Sequence, residues 1–258
     1  MSLLVLIYHR MSETGGGNAN VHCLSFRQFG QQMDQIRRAG YPVLSWHSLA
    51  AEAPAPSVKI ALTFDDGNRS DLECARLLKS LGYDALFFIV TGYLGQDGYL
   101  TRADVVELRR LGMTIGSHSH RHVQLTPLGD AEVLDELGRS RAILQDMIGQ
   151  PVEHFSFPGG AYDTRILEMS RRAGYKYLFT SDWGLNHGAQ FSAGALRRTS
   201  VLNHLDATQF DALLRQSNYR MRQLGFKTKE LIKRKLGQNR YVQIRRVLLS
   251  LRKSRLGW

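Results

Sequence analysis

Cysteine, long apolar runs and glycine-rich nucleotide loops are scarce or missing in this chain, and each absence narrows what it can be. Its two cysteines, Cys23 and Cys74, make no disulfide framework and no metal-binding spacing, which fits a reducing compartment. No stretch approaches the roughly 18 uninterrupted apolar residues of a membrane-spanning helix. Residues 1–10 hold an apolar run too short for a secretory signal, with no basic leader and no small-residue cleavage site. They read as a first strand, and the expected location is cytoplasmic. Neither a dinucleotide-binding glycine fingerprint nor a phosphate-binding loop is present, so nothing supports a nucleotide cofactor.

What is present is a chain of 258 residues, 43% hydrophobic, enough to build one large core. Ser25 is placed to cap a helix in which Phe26, Phe29, Met33 and Ile36 keep helical spacing up to Gly40. Leu72, Ala75, Leu78 and Leu81 describe a second helix closed by Gly82, and Thr101 with Asp104 forms an acidic capping box before Val105, Leu108 and Leu111. Further helices are expected over about 130–148 and 163–173 and from Asp206, with strands near Val43 and over 60–64, 85–90, 113–116, 154–157, 176–180 and 199–202. Strand and helix alternate almost throughout, which predicts a parallel sheet with crossover helices. The expected α/β fold is a distorted (β/α) barrel of about seven parallel strands over residues 1–219, followed by a basic helical extension over 220–258. Chemistry in such folds gathers at the C-terminal ends of the strands.

Two of those ends carry it. The run Leu62-Thr63-Phe64-Asp65-Asp66-Gly67 finishes on adjacent carboxylates, which point to opposite sides of an extended chain and so hold different surroundings. Two charges at the mouth of an apolar strand are costly unless a cation or a chemical role compensates. The strand ending at Gly116 runs directly into Ser117-His118-Ser119-His120-Arg121-His122. His118 and His122 are four apart, which on a helical turn lets both grip one metal ion; on an extended segment His118, His120 and His122 face the same way.

Thr63-Phe64-Asp65-Asp66-Gly67 followed by His118-Ser119-xx-His122 resembles the first two signatures of the polysaccharide deacetylases, the carbohydrate esterases with a chitooligosaccharide-deacetylase homology domain. Phe157-Pro158-Gly159-Gly160 falls where the third signature belongs and Asp182-Trp183 where the fourth does, while Val201-Leu202-Asn203-His204 resembles the fifth. The resemblance covers roughly residues 3–218, and Tyr8-His9-Arg10 looks like the start of members acting on exopolysaccharide and lipid-linked sugars. It implies Asp66, His118 and His122 as ligands of one divalent metal, Zn²⁺ first and Co²⁺, Ni²⁺ or Mn²⁺ as substitutes. It implies Asp65 as general base, the Gly159 N–H as oxyanion donor and His204 as general acid, with His9 and His187 as substitutes for the acid and Ser119 and His120 as supports. The implied activity removes an N-acetyl or similar acyl group from an amino sugar in a polysaccharide, oligosaccharide or lipid-linked glycan precursor. Two alternatives stand beside it: a deformylase or amidase acting on a lipid-linked aminosugar or a small non-sugar amide, and a non-catalytic glycan-binding module on a degenerate site.

The chain departs from the family pattern in three places. The fifth signature is loose, since Arg197-Arg198-Thr199-Ser200-Val201 reads equally as a plain barrel strand with His204 opening the next helix. Ser156 stands where the third signature usually has an arginine paired with the base, and Arg198 is the expected replacement. The aromatic usually found at the Gly159 position is missing, so one wall of the sugar pocket must come from elsewhere. Trp183 and Tyr162 are candidates for stacking on sugar, Trp46 is a core or rim aromatic, and Phe87-Phe88 belongs to the core.

Acids are nearly absent from residues 220–258, which hold 13 Lys and Arg against Glu230 alone, whereas residues 1–219 hold 21 basic and 22 acidic residues. Leu231, Ile232 and Leu236 sit among Lys229, Lys233, Arg234 and Lys235, and Ile244, Val247, Leu248 and Leu251 keep helical spacing beside Arg245, Arg246, Arg252 and Lys253. Such helices lie on an anionic membrane surface with Trp258 at the interface, or pack back on the barrel with their charges in water. Nucleic acid is the weaker partner, because no reader motif accompanies the charge. The first reading places the enzyme peripherally on the inner face of the membrane. It predicts that the full chain sediments with anionic liposomes at low salt and that a truncation at Arg220 does not; identical behaviour of the two would refute it.

Overall fold

Every interior position of the first strand, β1 (Ser2–Tyr8), is apolar because both of its faces are covered. In the computed structural model, which describes residues 2–48, 58–187 and 195–216, Leu4, Leu6 and Tyr8 pack outward with the helices while Leu3 and Val5 face into a barrel. After β1 come two short strands, β2 (Arg10–Ser12) and β3 (Cys23–Ser25), paired with each other, and then α1 (Phe26–Arg38). The chain continues through β4 (Val58–Phe64), α2 (Asp71–Ser80), β5 (Leu86–Ile89), α3 (Arg102–Arg110), β6 (Thr114–Ser117), α4 (Asp130–Ile148), β7 (His154–Ser156), α5 (Thr164–Arg172) and β8 (Tyr177–Phe179). It ends with β9 (Asn186–His187), β10 (Ala195–Leu196), β11 (Thr199–Ser200) and α6 (Ala207–Leu214). The expected caps form at Ser25, with Gln28, and at Thr101, with Asp104, and Asp206 with Gln209 caps the helix expected from that residue.

Strands β1, β4, β5, β6, β7 and β8 are parallel neighbours in that order, and the seventh stave is a single segment, residues 195–200. Its first half, β10, pairs with β8, and its second half, β11, pairs with β1, so one stretch of chain joins the two edges of the sheet. Between the halves, Arg197 would have unpaired peptide groups. The buried Asn186 amide satisfies them, accepting from Arg197 N at 2.8 Å and donating to Arg197 O at 2.9 Å and to Leu3 O at 3.4 Å. The sheet is therefore a nearly closed (β/α) barrel.

Three departures from the sequence reading have a common cause. The strand expected near Val43 is a single bridge to Ile60, the strand expected over 199–202 is confined to β11, and β10, the β2–β3 pair and the antiparallel β9 were not foreseen. Segments of two or three residues are too short to display a period. The basic extension lies outside the described residues, and no helix among the described residues is long and apolar enough to cross a membrane.

The seam gives a direct test. Asn186→Ala strands the Arg197 peptide groups and should lower stability by about 1–3 kcal/mol, read as a lower urea midpoint. An unchanged midpoint would show that the seam is satisfied by other means.

Candidate active site

Alternation along β4 sends Ile60, Leu62 and Phe64 outward and Ala61 inward; Thr63 and Asp65 continue the inward row and meet Arg198 inside the barrel mouth. Asp65 is buried, and Arg198 is fully buried opposite it. The pair is bidentate: Arg198 Nη1 donates to Asp65 Oδ1 at 2.7 Å and Nη2 to Asp65 Oδ2 at 2.8 Å. The remaining donors of the guanidinium also find acceptors, in Thr180 O, Thr63 Oγ1 and Ser156 Oγ. Phe88 and Phe179 lie under its plane, with ring centroids 5.1 and 5.9 Å away. Burial opposes the charge on Asp65, but Arg198, and then His118, hold its carboxyl well below the usual range.

Asp66 turns the other way through a left-handed backbone conformation, φ 81°, rather than by the alternation of an extended strand. Its Oδ1 lies 3.4 Å from His122 Nε2 and 3.7 Å from His118 Nε2, and the two Nε2 atoms are 3.2 Å apart. A tetrahedral ion with ligands at about 2.0–2.1 Å spaces them about 3.3 Å apart, so the three donors already have the separation such an ion requires. The tautomer agrees. His118 Nδ1 contacts Ser156 O at 2.7 Å and must donate to a carbonyl, which leaves the Nε2 lone pair toward Asp66 and His122. Burial lowers His118 to about 4, keeping it neutral, while burial and the neighbouring Asp65 charge push Asp66 up to about 7, a cost that a bound cation removes. These residues fit a divalent metal.

The histidines do not lie on a helical turn. Ser119 and His122 both have positive φ, 67° and 58°, and Ser119 Oγ accepts from His122 N at 3.1 Å. Buried Glu136 on α4 takes the loop's next amides, accepting from His120 N at 3.0 Å and Arg121 N at 2.8 Å. A helix is excluded because its amides are spent on a side chain 16 residues away for His120.

Comparison with known proteins follows the same lines. The family model described as polysaccharide deacetylase matches residues 52–178. The chain is 26% identical over 217 residues to YxkH of Bacillus subtilis, which bears a polysaccharide deacetylase name, covering 82% of this chain and 76% of that one. It is 31% identical over 153 residues to peptidoglycan-N-acetylglucosamine deacetylase PgdA of Listeria monocytogenes, covering 57% of this chain but 32% of the relative. Residues 52–178 form a polysaccharide deacetylase domain. Its fold is shared with the Streptococcus pyogenes deacetylase PplD, at a TM-score of 0.74 and 24% identity over 83% of this chain and 98% of that one. IcaB from Ammonifex degensii superposes at a TM-score of 0.72 and 24% identity, over 83% and 96%. The domain implies a deacetylase, which is a hydrolase.

Within this deacetylase domain the other sequence candidates are placed unevenly. The Gly159 N–H takes no part in its turn's hydrogen bonds, which run from Gly160 to Phe157 and from Ala161 to Pro158. His9, directly after β1, is half-buried, and loss of solvent lowers it to about 4 against the pull of Asp65; Tyr8 O just before it accepts from Asp65 N at 3.0 Å, so it borders the cluster. The His22 ring lies beside it, centroids 4.8 Å apart. His204 is exposed in the turn before α6, beside Asn203, whose side chain holds the 17–23 loop, and no described contact brings it to Asp65 or Asp66. His187 pairs with Ser2 at the opposite end of β1 and is far from the metal ligands. Tyr162 donates to Asp182 at 2.8 Å and stacks on Phe157, and Trp46 is a core residue bonded to Leu62 O. Glu136 was missed, because a glutamate inside a helical run carries no local mark of burial.

The ion pair has a defined pH signature. Asp65 is held below its ordinary value of about 3.9, so its contribution is fully present above that pH and lost as pH falls toward the folded value. Arg198→Met should destabilise by about 3–5 kcal/mol at pH 7, with the gap to wild type closing below about pH 4 in urea melts, and with Asp65→Asn added the loss should be smaller.

Proposed function

We propose that this protein is a metal-dependent de-N-acylase acting on an amino sugar within a glycan or a lipid-linked glycan precursor. The observation that carries the reading is the sorting of two adjacent carboxylates, Asp66 grouped with His118 and His122 and Asp65 locked to Arg198. When bound by Asp66, His118 and His122, a divalent ion, Zn²⁺ being the best match to two imidazoles and a carboxylate, supplies Lewis acidity toward water and the acyl oxygen.

The chain's own residues do the rest. Asp65, kept ionised and held by Arg198 from rotating toward the histidines, accepts the proton of the attacking water. Gly159 N–H is a main-chain donor for the acyl oxygen as it gains charge. The proton that Asp65 takes from the water passes on to the departing amine as the C–N bond breaks, and His9, neutral and bordering the cluster, is placed to relay it, whereas no described contact places exposed His204 there. The name of the Listeria relative makes N-acetylglucosamine in a glycan the first substrate to assay. The basic stretch 220–258 supports placing the enzyme at an anionic membrane face, near lipid-linked sugars.

Metal analysis together with acetate or formate release from a panel of acylated amino sugars, with Zn²⁺ or Co²⁺ supplied, tests the reading. Asp65→Asn should lose at least about 10²-fold in turnover with metal retained, and His118→Ala should lose the metal. His9→Gln should lower kcat by about 10²-fold while His204→Gln leaves it near wild type. Loss of metal in Asp65→Asn would mean the two acids exchange roles, and a wild-type protein that binds no divalent ion would favour a glycan-binding module.

A further inference from the structure

An aromatic at the Gly159 position would be strained: its φ is 63°, and a Cβ there would press on Gln124 Nε2 at 3.3 Å. The approach to the metal ligands lies elsewhere. The His118 side chain is 3% exposed, whereas Asp66 and His122 are 25% and 32% exposed, so a substrate reaches the cluster from the Asp66 and His122 side. Tyr93 stands on that side with its ring 6.1 Å from His122, and the Tyr99 ring lies 4.6 Å from Tyr93. Both are partly exposed, and neither packs on the core, a task left to their neighbours Leu94 and Leu100.

The two rings are also fixed in place by the loops that bear the ligands. Tyr93 closes a 3-10 turn, Thr91–Tyr93, tied to the histidine loop through Thr91 N to Ser119 O at 3.3 Å and Gly92 N to His120 O at 2.8 Å. A Cβ at Gly92 would sit 2.5 Å from His120 O, so only glycine permits this approach. Tyr99 forms a bridge with Asn68 and is flanked by Leu100 N to Gly67 O and Arg69 N to Gly98 O, each 2.9 Å, which ties it to the Asp65-Asp66-Gly67 turn.

We propose that Tyr93 and Tyr99 are specificity-determining residues that form the aromatic wall of the glycan site, on which a pyranose ring of the amino-sugar chain stacks its C–H face while the phenolic hydroxyls reach the sugar's hydroxyls. The inference rests on the amino-sugar reading and names where that substrate is held. A rigid, half-exposed aromatic pair beside the open ligands gives orientation at small entropic cost.

The test uses the full chain, wild type and Tyr93→Ala, Tyr99→Ala, the double variant and Tyr93→Phe. Kinetics are read on β-1,4- and β-1,6-linked N-acetylglucosamine oligomers and on 4-nitrophenyl acetate, and oligomer Kd is measured by calorimetry in chelator, where turnover is not required. The alanine variants should raise KM and Kd for oligomers about 3- to 10-fold each, with kcat and 4-nitrophenyl acetate turnover within about twofold, and Tyr93→Phe should restore most of the binding. Unchanged KM and Kd in the double variant, equal losses on oligomers and 4-nitrophenyl acetate, or no oligomer binding by wild type would each overturn the wall. Tyrosine-dependent binding without acetate release would keep the wall and overturn the deacetylase reading instead.

Discussion

The buried pair of Asp65 and Arg198 is the constraint on which the rest of the site depends. A carboxylate inside an apolar barrel is costly by several kcal/mol, and only a fully satisfied cation offsets it. Arg198 meets that demand with every donor engaged and two phenylalanine rings beneath it. Space for this is made one strand away, where Gly116 lies so close to Phe88 that a Cβ would approach its ring to 2.7 Å. The glycine admits Phe88, Phe88 supports the guanidinium, and the guanidinium fixes the carboxylate.

The same residue links the site to the closure of the fold. Arg198 occupies the gap where the last stave changes partner from β8 to β1, and its own N–H donates to Asp182 O rather than to a sheet neighbour. Barrel closure brings residues 133 positions apart into a bidentate contact. A loose seam would therefore loosen the carboxylate as well, which ties global stability to site geometry more directly than in a fold whose active groups all sit on free loops.

Reading the sequence recovered what is periodic or motif-bearing. Helix limits such as 130–148 and the caps at Ser25 and Thr101 rest on spacing and local hydrogen-bond chemistry, whereas the Asp66, His118 and His122 grouping and the pairing of Arg198 with Asp65 came through the family resemblance. What it did not yield depends on contacts distant in the chain. The histidine turn is irregular because Glu136 captures its amides, and Asn186 seals the seam. Neither of these leaves a local signature, and the two tyrosines at Tyr93 and Tyr99 read as ordinary loop residues until the folded chain sets them beside His122.

The absent third-signature arginine was the one ground for regarding the site as degenerate. In the folded chain Ser156 occupies that place and accepts from Arg198 at 2.6 Å, so the serine hydroxyl and the incoming guanidinium together fill the volume and supply the charge. What chemistry requires is a fixed cation against Asp65, not an arginine at a given position in the chain, and a closed barrel lets any inward-facing stave provide it. The same logic applies to the missing aromatic at Gly159: a sugar needs a flat apolar wall at the open side of the ligands, and the loop after β5 can present one as well as the loop after β7. Motif gaps in such a barrel are therefore informative only after the inward-facing residues of every stave have been examined.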